Sequence, residues 1–136
     1  GDGSTAIVTG EFPAPNKRFT WSPDGKSMVF ENAGDLFYVD ITSNALIRST
    51  KIRGTYEETH VKSIQYSPDG QYLVFCSSEY TAVWETLSND LILELTLDPE
   101  KLEMNRYENI AWSPDSQNLA ILSYGAKQIL IYKLTH

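Results

Sequence analysis

The tetrapeptide Ser67-Pro68-Asp69-Gly70 decides the fold, because the chain carries it three times. It stands first as Ser22-Pro23-Asp24-Gly25 and last as Ser113-Pro114-Asp115-Ser116, each time directly after an aromatic residue: Trp21, Tyr66 or Trp112. Those aromatics are 45 and then 46 residues apart, and a fixed period of that size marks a repeat architecture. The phrase has a mechanism. Pro fixes φ at the second position of a type I turn, Asp suits the third, and Gly tolerates the positive φ needed to re-enter a strand. It therefore predicts a β-hairpin loop between two extended runs. Ser116 replaces Gly in the third copy, which predicts a turn that is strained or of another type.

Outward from each turn the same plan unfolds. In the first unit, residues 17–22, 26–31, 35–42 and 45–52 read as four strands, with Asn32-Ala33-Gly34 turning the second into the third and Ser43-Asn44 as a two-residue hairpin loop. In the second, residues 61–67, 71–77, 81–87 and 91–97 repeat that order, and Ser88-Asn89 stands where Ser43-Asn44 stood. The third unit offers strands at 109–113, 117–123 and 128–134 and then runs out of chain, one strand short. The β-branched run at residues 5–9, ended by Gly10, Pro13 and Pro15, is the candidate for that vacancy. A helical turn fits only at residues 98–102, with Asp98 as N-cap and Pro99 at the first position. The expected fold is thus all-β, as three four-stranded antiparallel repeats: one of about residues 17–53, one of about 61–97, and one of about 109–134 completed by 5–9. Leu73-Val74-Phe75, Leu91-Ile92-Leu93 and Ile129-Leu130-Ile131 are apolar on both strand faces, which calls for sheets covered on both sides, as in a stack.

Composition narrows the function classes. With 136 residues, 41% hydrophobic and 21% charged, the chain is an ordinary globular domain in make-up, without an apolar run long enough to span a bilayer. A net charge of −7 disfavours nucleic acid, whose affinity rests on Lys and Arg, and disfavours anionic membranes. A charged partner is expected to be basic. The single cysteine, Cys76, rules out an internal disulfide and fits a reducing, cytoplasmic compartment, with a periplasmic one still open.

Four-stranded repeats of this period with an aromatic-Ser-Pro-Asp-Gly hairpin resemble the WD-repeat β-propellers, over nearly the whole chain. The Trp-Asp dipeptide that closes the third strand in that family is matched here by Val39-Asp40, Trp84-Glu85 and Tyr132-Lys133, so half of the pair survives in two units and neither half in the third. The Gly-His dipeptide upstream of the first strand is absent. The first unit, Trp21 to Gly25 followed by Gly34-Asp35-Leu36-Phe37-Tyr38-Val39, is equally similar to TolB-like repeats, which also build the propellers of prolyl-oligopeptidase-type enzymes. Both resemblances imply propeller blades. Closed propellers carry about four to eight of them, so three blades leave two apolar end faces. These can be covered by a second chain closing a six-bladed ring, by further blades of a longer propeller, or by blades of another protein. Strand arithmetic leans to the first, since a strand lacking at one end is matched by a surplus at the other.

The chemistry sought is mostly missing. The chain has no Gly-x-Ser-x-Gly elbow, no His-Glu-x-x-His, no glycine-rich phosphate loop and no paired cysteines, and its two histidines, His60 and His136, are too few for a histidine metal site. No metal or cofactor is expected. Asp24, Asp69 and Asp115 read as turn residues, Cys76 as a small core residue, and Asp40 and Glu85 as ties within a blade. The expectation is a non-catalytic scaffold that associates with itself or with other blades and presents a loop face to a peptide or protein. Residues 56–60, 79–80, 98–108 and 124–127 would form that face, with Arg53, Tyr56, Tyr80, Arg106, Tyr107 and Tyr124 as contact residues, because aromatics and Arg anchor interfaces. The rival expectation is the gating propeller of a prolyl-oligopeptidase-type or other larger enzyme, with its catalytic residues elsewhere. A third is a small-molecule site on the innermost strands at Thr20, Ser63 and Gln65.

Overall fold

A computed structural model of the chain describes residues 19–32, 34–52, 61–97, 106–124 and 128–134. The run at 5–9 and the helical turn at 98–102 lie outside them. Eleven strands form three antiparallel sheets. The first sheet pairs β1 (Phe19–Trp21), β2 (Ser27–Asn32), β3 (Asp35–Asp40) and β4 (Ala45–Lys51) in chain order. The second pairs β5 (Val61–Tyr66), β6 (Tyr72–Ser77), β7 (Tyr80–Glu85) and β8 (Leu91–Thr96) in the same way. The third contains β9 (Arg106–Trp112), β10 (Asn118–Tyr124) and β11 (Gln128–Lys133), with β10 in the middle. The first strands β1, β5 and β9 are neighbours, so the sheets stack as blades about one side.

The middle sheet shows why its strands are apolar on both faces. Leu73 and Phe75 of β6, with Tyr80, Ala82 and Trp84 of β7, pack against Val29, Leu36 and Tyr38 of the first sheet. The alternate residues Tyr72, Val74, Cys76 and Val83 pack against Leu119, Ile121 and Tyr107 of the third. Strand period two divides the side chains between two cores. The dipeptide positions Val39-Asp40, Trp84-Glu85 and Tyr132-Lys133 close the third strand of their sheets, and the Asp40 carboxylate accepts the Thr42 amide at 2.9 Å.

All three tetrapeptides form one turn. The amide of Gly25, Gly70 or Ser116 donates to the carbonyl of Ser22, Ser67 or Ser113 at 2.9 Å. The Ser hydroxyl donates to the Asp carboxylate two residues on, at 2.6, 2.7 and 2.5 Å, and accepts the amide of Ser27, Tyr72 or Asn118 at 3.0 Å. Gly25 and Gly70 have φ of 73° and 77°, and Ser116 follows at 64°. The third turn is therefore of the same kind and is strained, since an L side chain resists that region. What holds it is a bond that no glycine can make: the Asp69 amide donates to Ser116 Oγ at 3.0 Å, tying the second turn to the third. Ser116→Ala should lower stability by about 1 kcal/mol, the worth of one hydrogen bond. Ser116→Gly should come out near zero, because relief of roughly 1 kcal/mol of strain offsets the same loss. Urea midpoints of the two variants measure the difference.

These turns also make the fold acid-sensitive. The Asp24 and Asp115 carboxyls lie below the ordinary 3.8, held there by their Ser hydroxyls first and by the Lys26 and Gln117 amides next. For Asp69, burial pushes upward but is outweighed by the Gln71 amide and the Ser67 and Ser116 hydroxyls. Folded values below unfolded ones mean stability that is full above the unfolded pKa and lost as pH falls below about 4. Unfolding measured at pH 6 and again near pH 2.5 should show that loss, and replacing all three with Asn should shrink it.

Two expectations are corrected. The Ser-Asn pairs do not make two-residue loops: β3 ends at Asp40 and β4 starts at Ala45, so four residues intervene. Asn44 and Asn89 take the positive φ, 56° and 62°, that lets each strand restart. The third unit begins at Arg106 rather than 109. There the register shifts between Tyr107 and Asn109, and such a bulge interrupts the alternation by which the strand start was read.

Candidate interaction surfaces

Three surfaces can meet a partner: the predicted loop face, the two outer sheet faces, and a cleft between the first two sheets.

On the loop face, two of the six chosen residues are interior. Tyr80 is fully buried, its ring 6.4 Å from that of Phe75 and its hydroxyl donating to Glu94 Oε2 at 2.5 Å. It opens β7 rather than ending a loop, and shares the core-facing parity of Ala82 and Trp84. Tyr107 lies in the core between the second and third sheets, where burial pushes its hydroxyl up to about 12. The bulge beside it turns its side chain inward. Arg106 stays accessible and pairs with Glu108 at 3.1 Å, and Glu108 also meets Lys62 at 3.7 Å, bridging β5 and β9. Tyr124 pairs by backbone with Arg106 at the end of β10. Arg53 and Tyr56 lie outside the described residues. Among the described residues, this face offers the charged group of Arg106, Glu108 and Lys62. On the innermost strands, the Gln65 amide donates to Ser63 Oγ at 2.8 Å and to the Ile110 carbonyl at 3.5 Å, so these polar groups already hold one another. Burial pushes the Cys76 thiol up to about 11, which keeps it protonated and a poor nucleophile.

The outer faces are found by comparing equivalent positions. Tyr66 and Trp112, the aromatics before the second and third turns, pack against the sheet that precedes their own. Trp21, the first of the set, is 52% exposed, and Phe19 on the same strand is 57% exposed. At the other end, Val74 and Cys76 of β6 are fully buried by the third sheet. Their counterparts in β10 are Ala120 and Leu122, which pair with Ile131 and Ile129 of β11. Ile129 and Ile131 are 65% and 62% exposed. Apolar side chains that a neighbour covers in the middle of the stack are bare at both ends.

The cleft, of about 570 Å³, opens between the first and second sheets on the side that carries the tetrapeptide turns. Tyr38, Ile47 and Arg48 line it from the first sheet, and Tyr66, Asp69 and Leu87 from the second. The Arg48 guanidinium lies 4.4 Å from the centroid of the Tyr38 ring, and its Nη2 donates to the Thr86 carbonyl at 2.5 Å. Beside it, Thr50 Oγ1 donates to Asn89 Oδ1 at 2.9 Å. Tyr38, Tyr66, Asp69 and Asn89 stood out in the sequence only as parts of strands and turns, and Arg48 did not stand out at all. Arg48 is one charge in an alternating strand, and nothing local signals that it crosses to the next sheet.

Among solved structures, the chain is similar to the WD40 repeats of RRP9, with a TM-score of 0.71 and 14% identity over 95% of this chain and 38% of that one. It is similar to U3-55K at a TM-score of 0.71 and 15% identity, over 95% and 38%. The hydrazine synthase of Kuenenia stuttgartiensis gives 0.66 and 19%, over 97% and 35%. The chain thus spans little more than a third of the structures it matches. The likeness shows the fold: all-β blades of a partial β-propeller of the WD40 kind. No protein-family model and no curated protein matches the chain.

Proposed function

We propose that this chain is a non-catalytic interaction module whose blades pack face to face with further blades to complete a propeller, and whose loop face then meets a protein partner. The observation that carries the reading is the contrast between equivalent positions: Tyr66 and Trp112 are packed, Trp21 is bare, and Ile129 and Ile131 face outward. Large apolar surface of this kind marks an interface. A second copy is the first choice of neighbour, giving six blades by two-fold symmetry. The second reading, blades supplied by a longer chain, is favoured by the share of the matched structures that this chain covers. On either reading the work is done by binding. The likeness to an enzyme is one of fold, at 19% identity, and brings no chemistry with it. A net charge of −7 points the outer contact toward a basic protein surface rather than nucleic acid or membrane, in a cytoplasmic setting that the lone Cys76 fits.

Size-exclusion chromatography with light scattering decides between the neighbours. A dimer that dissociates on dilution supports the two-chain ring. A soluble monomer at high concentration removes it and leaves the longer-chain reading. A serine-reactive probe should label nothing in this chain, and labelling would end the non-catalytic reading.

A further inference from the structure

We infer, on the reading that further blades cover both ends, that the two bare ends are the two halves of one junction. The front of the first sheet packs on the back of the third sheet of a second copy, seating Trp21 against that copy's Ile131 and Asn118. A front is the face turned toward the preceding sheet, and a back is the face turned toward the following one. Strand register makes positions equivalent. On the fronts, Trp21, Tyr66 and Trp112 pair with Met28, Leu73 and Leu119. On the backs, Tyr38, Val83 and Ile131 pair with Val29, Val74 and Ala120.

Both internal junctions use these positions in one way. Tyr66 and Tyr38 line the same cleft, and the Tyr66 hydroxyl is hydrogen-bonded to Ser27. Trp112 stacks on Tyr72, with ring centroids 5.8 Å apart and planes at 12°, beside the core that contains Val83. Ser27, Tyr72 and Asn118 are equivalent, since the amide of each donates to the Ser hydroxyl of its own turn. Carried to the ends, that contact sets Trp21 on Ile131 and Asn118. Size agrees: internal fronts bring rings such as Tyr66, Phe75 and Trp112, and the backs facing them bring Val29, Val74 and Val83. The free front carries the rings of Phe19 and Trp21, and the free back the aliphatic Leu122, Ile129 and Ile131. Like against like would stack ring on ring and leave the other end of each copy bare. Front on back covers both ends of both copies and closes the ring by two-fold symmetry. The turns agree as well. A Cβ at Gly70 would lie 3.5 Å from Pro23 Cδ, and Ser116 accepts the Asp69 amide, so each later turn touches the one before it. Gly25 has open space at that position, which the second copy's third turn would fill.

The test uses the 136-residue chain with two variants, Trp21→Glu on the front and Ile131→Lys on the back, followed by sedimentation equilibrium. Both positions are exposed in the single chain, and circular dichroism checks that each variant stays folded. The parent should dimerise. Either variant alone damages both junctions of the closed pair and should weaken it at least about a hundredfold, because an unpaired charge enters a dry interface. Mixed in equal amounts, the variants keep one junction intact and set Glu against Lys in the other. The mixture should therefore dimerise at concentrations where each variant alone is monomeric. If one variant keeps the parent's dimer, like faces meet and the junction is wrong. A mixture no tighter than its components would overturn it too. A monomeric parent overturns the second copy as the neighbour but leaves the reading of blades supplied by a longer chain. Retention of the parent's dimer by both variants would sink the broader reading as well, since the dimer would not form through these ends.

Discussion

Truncating Phe75 to alanine should lower the unfolding free energy by about 3–5 kcal/mol, the range for removing a large aromatic from a core that closes only partly around the void. Phe75 is fully buried at the centre of β6, against Tyr80 and the first sheet. The middle sheet cannot relax toward either side, because its opposite face is held by Val74 and Cys76 against the third sheet. Domains of this class have roughly 5–15 kcal/mol in all, so the variant should sit near the limit of folding. Urea titration followed by tryptophan fluorescence would measure the loss, and a change under about 1 kcal/mol would mean that the stack is looser than described. Ile129→Ala, on the bare face of β11, is the control: in the isolated chain it should change stability by at most about 0.5 kcal/mol.

The second large effect concerns association. Ile129 and Ile131 project from one face of β11, opposite Leu122 and Ala120 of β10. Covering two isoleucines contributes about 1.5–3 kcal/mol each. Replacing both with glutamate removes that contribution and places two unpaired carboxylates in the same dry interface. A combined loss of at least about 4 kcal/mol weakens association roughly a thousandfold. By light scattering, Ile129→Glu with Ile131→Glu should be monomeric at concentrations where the parent chain is not, with an unchanged β-sheet circular dichroism spectrum. Persistence of the parent's oligomer in that double variant would show that this face is not where the blades meet.

Much of this architecture was legible in the chain because its signals are local. A Ser-Pro-Asp-Gly turn declares itself within four residues, and three copies at one period fix the order of the hairpins. The misplacements share a physical cause. Tyr80 directly follows the two-residue connection 78–79, and Tyr107 sits beside a bulge. At such points the alternation of a strand starts or slips, and one residue of error moves a side chain from surface to core. The inter-blade cleft was invisible for another reason. Arg48 and Thr86 are 38 positions apart, and no pattern in the intervening chain brings them together. The bare ends were expected from the count of three blades; the side chains they expose, Phe19 and Trp21 at one end and Ile129 and Ile131 at the other, follow from comparing equivalent positions of successive sheets.

The bond from the Asp69 amide to Ser116 gives near-identical wedges an address. Modules built to one plan are interchangeable in principle, and a stack of them could assemble in the wrong order. Here the one letter that departs from the shared motif is also a hook onto the turn of the preceding sheet, a tie that the two glycine copies cannot make. Moved to the front of the stack, this wedge would keep its hairpin intact but leave the hook nothing to grip, so the imperfection of the repeat marks a wedge that must follow another.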